Sequence, residues 1–97
     1  MKSYADFIVN LSIATENALK VGREAIDAYN GENALDADEV KETFAHCLDD
    51  LHDEGKDNLI ELDKAMDNIK DSLNDYVEEM NYHPHSVEWL FYDNVPF

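Results

Sequence analysis

The sequence predicts an all-α fold: a small bundle of three main helices plus a short aromatic helical segment at the C-terminus. Three features point to it. Apolar residues recur at steps of three and four along most of the chain, and capping signals precede two of these runs. The hydrophobic content is 44% and includes ten aromatics, enough apolar surface to offset the conformational entropy that keeps acidic chains disordered. At 97 residues the chain holds one modest core, not a two-domain enzyme with a cleft between its halves. The expected organisation is a single acidic domain over 1–97, with helices at about 3–30, 37–54 and 57–81 and an aromatic segment over 82–97.

The first helix opens at Ser3, with Asp6 three residues on as the acidic counterpart of a capping box. Tyr4, Phe7, Ile8, Leu11, Ala18, Ala25, Ile26 and Tyr29 then follow at helical spacing. A stop is expected at Asn30-Gly31, where glycine can adopt the left-handed conformation that closes a helix. Asp36 followed by Glu39 signals a second N-terminus, and Val40, Phe44, Cys47, Leu48 and Leu51 give that helix one apolar face. It should end by Gly55 in a turn or kink.

The third helix carries the clearest pattern. Leu59, Leu62, Met66, Ile69, Leu73, Tyr76 and Met80 alternate steps of three and four as a heptad seam. Ile60, Ala65 and Val77 widen that seam beyond a two-stranded coiled coil, which fits packing in a bundle or across a homodimer. Pro84 is expected to end the helix. Residues 82–97 then hold Tyr82, Trp89, Phe91, Tyr92 and Phe97, half of the aromatics. Ser86 is expected to cap a short helical turn through Tyr92, and the segment to serve as a lid over the bundle rather than as a docking arm.

Charge is the unusual quantity. Asp and Glu total 23 against 7 Lys and Arg, a net charge of −16. There is too little cation to neutralise phosphates, so direct nucleic-acid binding is not expected, and anionic membranes are disfavoured for the same reason. No apolar run is long enough to span a bilayer, and the N-terminal stretch lacks a cleavage site, so a cytoplasmic location is expected. One cysteine cannot form an internal disulfide.

The charge is also segregated. Residues 1–30 carry a net −1, whereas residues 36–79 hold sixteen acids and four lysines, a net −12. Asp63, Asp67, Asp71, Asp75 and Glu79 succeed one another at intervals of four, about 6 Å of axial rise apart. Each such like-charge pair costs an isolated helix about 0.2–0.5 kcal/mol, so helix stability alone does not favour the ladder. Asp49, Asp50, Asp53 and Asp57 continue the pattern towards the second helix. A general adaptation to salt would not leave the first helix near neutral. The expectation is that these aspartates converge on one electronegative face that fits a basic groove.

In this charge pattern the second and third helices resemble the acidic DNA-mimic inhibitors of phages and mobile elements, a group that includes anti-restriction and anti-CRISPR proteins. The group shares no sequence motif. The resemblance implies an inhibitor without catalysis, sitting in the groove of a DNA- or RNA-handling protein in the host-cell cytoplasm. Its partner-binding residues would be Asp49, Asp50, Asp53, Asp57, Asp63, Asp67, Asp71, Asp75 and Glu79. The alternative is an acidic immunity or antitoxin protein that neutralises a basic toxin nuclease outside its channel, with the aromatic tail as its hot spot. A purely structural dimerising bundle is a third reading.

Other motifs are weaker. Asp71-Ser72-Leu73 matches the attachment tripeptide of acyl carrier proteins, but Ser72 falls inside the heptad seam rather than at the head of a helix. Glu42 with His46, Asp49 with His52, and His83 with His85 have ligand-like spacings, yet none completes a metal-binding set. Asp36 to Glu39 lacks the glycine and terminal glutamate of a calcium loop. Cys47 is expected to be a buried core thiol. No nucleophile stands beside a base and no glycine-rich phosphate loop is present, so neither an enzymatic role nor a cofactor is expected.

Overall fold

A computed structural model of the chain describes residues 3–31 and 34–92, without the side chains of 34 and 35. It contains three long helices and one short one: α1 (Tyr4–Asn30), α2 (Ala34–Gly55), α3 (Leu59–Glu79) and α4 (Ser86–Phe91). The described residues include no strand. The molecule measures 47 × 24 × 20 Å. Its spine is α1, about 40 Å long by its 27 residues, which touches each of the other helices.

Ser3 caps α1 as its sequence indicates, its hydroxyl accepting from the Asp6 amide at 3.2 Å. The buried stripe of α1 runs Leu11, Ala14, Thr15, Ala18, Gly22, Ala25, Ile26 and is built mainly of small residues. Small residues let the neighbours come close. A Cβ on Gly22 would lie 2.9 Å from Leu73 Cδ1 of α3 and 3.1 Å from Phe44 Cε1 of α2, so all three long helices meet there.

Gly31 does not close α1 by a left-handed turn: its φ of −95° and ψ of −172° are extended, and its N–H reaches back to Ala28 O. Asn30 is the residue that matters at this end. Its side-chain NH2 donates to Ile26 O and to Ser86 Oγ, at 2.9 and 2.8 Å, while its Oδ1 accepts from the His83 amide at 2.8 Å. The bonds to Ser86 and from His83 fasten the C-terminal segment to α1.

The second helix starts at Ala34, earlier than the Asp36 signal places it. Asp36 lies within the first turn, where a carboxylate still complements the helix dipole. The α2–α3 connection is a turn, as Gly55 indicates. A Cβ there would meet Leu62 Cδ1 at 2.8 Å and Leu62 Cβ at 2.9 Å, so only glycine allows this approach. Asn58 caps α3 by accepting from the Glu61 amide at 3.3 Å, which sets the start at Leu59 rather than at 57.

Two features of α3 differ from expectation. Its last helical residue is Glu79, and the stop is not Pro84 but Asn81, whose φ of 56° is left-handed. Tyr82 N–H bonds Val77 O and Asn81 N–H bonds Glu78 O, the paired closure of a Schellman motif with asparagine in the glycine position. Secondly, the heptad seam is buried only in its middle. Leu62, Ala65, Ile69, Leu73 and Val77 are buried and Met66 and Tyr76 half-buried, whereas Leu59 is 65% exposed and Met80 is exposed too. A straight helix drifts against a seven-residue repeat, which brings Ala65 and Val77 into the stripe as the seam's ends leave it. The buried part of this face packs in the protein's own core.

The aromatic segment forms a lid, with Val87 and Leu90 buried in the core cluster. Trp89 stacks on Tyr29 with ring centroids 4.5 Å apart, and Phe91 meets Phe44 edge-on at 5.3 Å. Ser86 is the first residue of α4, not its cap: fully buried, its hydroxyl donates to His83 O at 2.6 Å. The helix ends at Phe91, one residue before Tyr92. Residues 93–97, Phe97 among them, lie outside the described residues.

Candidate functional site

All nine acids singled out in the sequence are exposed: Asp49, Asp50 and Asp53 near the end of α2, Asp57 in the following turn, and Asp63, Asp67, Asp71, Asp75 and Glu79 along α3. The ladder lies opposite the buried stripe of α3. Four residues exceed one helical turn, so each carboxylate sits about 40° further round the helix and the ladder winds through about 160° from Asp63 to Glu79. It is a spiral band, not a straight edge. Asp50, Asp53 and Asp57 instead border hollows shared with α1. Eight of the nine acids therefore divide between two surfaces, five on the ladder and three at the hollows, and do not converge on the one electronegative face expected from the sequence.

Few of the described cations answer these acids, although Lys56 borders the same hollow as Asp53 and Asp57. Among the described residues none of the nine acids forms an ion pair. Lys64 pairs at 3.6 Å with Glu61, which is not one of them. Lys70 lies 5.5 Å from the Phe91 ring centroid, Lys41 4.8 Å from that of Trp89 and Arg23 5.9 Å from that of Tyr76. These cations serve the lid and the α1–α3 contact through the ring quadrupoles.

Sequence reasoning missed a cleft between α1 and α2. One hollow, of about 320 Å³, is lined by Asn10, Ile13, Asn17 and Cys47 with Asp50 and Asp53. A second, of about 440 Å³, adjoins it towards the start of α1, where Tyr4 and Phe7 face Asp53 and Asp57. A usable signal was present, since Ile13 falls off the apolar stripe of α1 and so was free to face solvent. Cys47 is half-buried rather than fully buried: it packs against the core and also opens on the cleft. Burial, and then the Asp50 charge, raise its pKa above the usual thiol value, which disfavours a reactive thiolate.

At the far end, Asp27 Oδ1 accepts from Tyr76 Oη at 2.6 Å and from Tyr82 Oη at 2.9 Å. The hydrogen bond to Asp27, helped by burial, pushes Tyr76 up to about 12, and the same bond raises Tyr82. His83 and His85 lie with ring centroids 5.2 Å apart, and His85 Nδ1 approaches Glu88 Oε2 at 3.2 Å. Among the described residues no three His, Cys, Asp or Glu side chains are grouped to hold a metal ion. No helix in the described part is long and apolar enough to cross a membrane.

No family model, no curated protein and no solved structure matches the chain. The functional reading therefore rests on surface chemistry.

Proposed function

We propose that the protein is a DNA-mimic inhibitor that occupies the basic nucleic-acid groove of a DNA- or RNA-handling protein, of the anti-restriction or anti-CRISPR kind. The observation that carries this reading is the exposure of all nine acids along α2, the following turn and α3, none of which forms an ion pair among the described residues. Its magnitude is relevant. Residues 36–79 carry a net −12 on two helices each about 30 Å long, so that the pair, taken side by side, presents roughly one net charge per 3 Å of its length. Duplex DNA carries about one per 1.7 Å, so the protein reaches more than half the linear density that such grooves are shaped to accept. Complementary fields of this strength speed encounter, and carboxylate–Arg contacts then hold the complex.

The spiral course of the ladder suits this role, because a groove that wraps a rod meets charge over a wide arc rather than along one line. The immunity-protein alternative draws on the aromatic tail, but Trp89 and Phe91 lie against Tyr29 and Phe44, which leaves that reading less exposed aromatic surface. The deciding experiment is capture of partners from bacterial lysate on the immobilised protein, with and without competing duplex DNA. Retention of basic nucleic-acid-binding proteins that DNA displaces is the expected result. Retention that duplex DNA leaves untouched would overturn the proposal.

A further inference from the structure

The ladder is the conspicuous charge, yet the α1–α2 cleft offers something the ladder lacks, an apolar floor beside the carboxylates. Tyr4 and Ile13 are 64% and 53% exposed and project at the cleft, whose base is formed by buried Ala14 and half-buried Phe7 and Cys47. Apolar side chains grouped along a concave surface with polar residues around them mark a contact site. One wall is predominantly anionic, with Asp50, Asp53 and Asp57 outnumbering the one cation on it, Lys56, while the opposite wall presents the neutral amides Asn10 and Asn17.

The occupant follows from charge. A second copy of the chain would bring another −16 against the first, so self-association on this face is opposed by repulsion. A neutral apolar segment would desolvate three carboxylates without partners. A helix with an apolar stripe flanked by arginines satisfies both walls: aliphatic side chains cover Tyr4 and Ile13, and guanidinium groups fork onto Asp50 and Asp53. Tyr4 to Asn17 spans about 20 Å of α1, which matches a partner helix of about 13 residues. The α1–α3 groove competes less well as a site, because it offers only two carboxylates, Glu16 and Glu61, and Glu61 is already paired with Lys64.

We infer that the α1–α2 cleft is a docking site for a cationic amphipathic helix of the target protein, a second contact distinct from the acidic ladder. This rests on the proposal that the partner is basic, and supplies its specificity: the ladder reads charge alone, whereas the cleft also reads where the apolar residues fall.

The test uses two synthetic peptides of about 18 residues and identical Leu/Arg/Ala composition, one patterned as an amphipathic helix and one scrambled. Each is titrated into the full-length protein, with amide chemical shifts and the rate of Cys47 alkylation by a neutral reagent as readouts. The patterned peptide should shift Ile13, Asn17 and Cys47 and slow alkylation at least tenfold, whereas the scrambled one shifts α3 residues without protecting Cys47. An Ile13→Ser/Asp50→Asn/Asp53→Asn variant, altered only at exposed positions, should keep its fold and lose the protection. Equal binding of both peptides along α3, with Cys47 unprotected, overturns the cleft but leaves the basic-partner reading intact. Binding of neither peptide at low salt overturns both.

Discussion

The Tyr76 hydroxyl donates to the Asp27 carboxylate at 2.6 Å, joining the last turn of α3 to the last turn of α1 across 49 residues of chain. Tyr82, just past the Asn81 turn, adds a second bond to the same oxygen, and the Arg23 guanidinium lies over the Tyr76 ring. One carboxylate on the near-neutral helix therefore fixes the end of the helix that carries the ladder. Asp27 differs from the ladder acids in having phenol donors to answer it.

This bond has a pH signature. Tyr76 is raised to about 12 in the fold, so the neutral phenol is the form the native state prefers. The associated stability is fully present below the ordinary tyrosine value of 10 and is lost as pH rises through about 12. In Asp27→Ala the latest step of the ultraviolet tyrosine titration should fall towards 10. The variant's stability deficit at neutral pH should shrink across the same window. A titration curve unchanged from wild type would show that Asp27 is not the cause.

The two close glycines should respond differently to alanine. At Gly22 the nearest atom is Leu73 Cδ1, the far end of a side chain that can shift, and alanine regains about 1 kcal/mol of helix propensity. At Gly55 the obstruction includes Leu62 Cβ, which cannot move without its backbone. Gly55→Ala is therefore expected to cost about 1–3 kcal/mol and Gly22→Ala markedly less. Urea denaturation of the two variants measures the difference, and equal costs would contradict it.

How much of this was legible beforehand depends on what decides each feature. The helices, the Ser3 cap, the turn at Gly55 and the lid were legible because local periodicity and short-range hydrogen bonding decide them. The αL stop at Asn81 was hidden behind Pro84, since proline is the louder signal while asparagine is a less frequent occupant than glycine of the left-handed position that closes a helix. Asn58 with Glu61 is a readable cap, but the acids around it make the signal inconspicuous. For the site, exposure of the nine acids was readable, because charged residues opposite an apolar stripe face water. Their division between two surfaces was not, since it depends on which flank of α2 meets α1. The cleft follows from the same packing choice.

The seam's uneven burial gives a sharp mutational contrast. Leu73 is fully buried against Gly22, so Leu73→Ala should cost about 2–5 kcal/mol. Leu59 belongs to the same heptad pattern but is mostly exposed, and Leu59→Ala should stay within about 0.5 kcal/mol of wild type. If the helix instead paired with a second copy through the whole seam, Leu59→Ala would lower stability in a concentration-dependent way, which thermal melts at two protein concentrations would reveal.

The lid changes how the tail can be tested. Removing residues 86–97 strips Val87 and Leu90 from the core, each contributing about 1.5–3 kcal/mol, and breaks the Asn30–Ser86 bond. Loss of binding in that truncation would then report unfolding. Tyr92→Ala is the cleaner probe, because Tyr92 is exposed at the lid's edge. Circular dichroism should show Tyr92→Ala folded and the truncation largely unfolded, and a stable truncation would show that the lid contributes little.

Reversing the ladder separates folding from function most directly. Asp67, Asp71 and Asp75 are exposed, form no ion pair among the described residues and repel one another at four-residue spacing. Replacing the three by lysine puts opposite charges four residues from Asp63 and Glu79, so the variant should be as stable as wild type or gain a few tenths of a kcal/mol per pair. Binding to a basic partner should nevertheless collapse, because the field that steers encounter is reversed along the middle of α3. Wild-type binding should itself weaken steeply between low and physiological salt, as exposed charges are screened. A folded triple-lysine variant that binds its captured partner with undiminished affinity would remove the ladder from the mechanism and leave only the α1–α2 cleft.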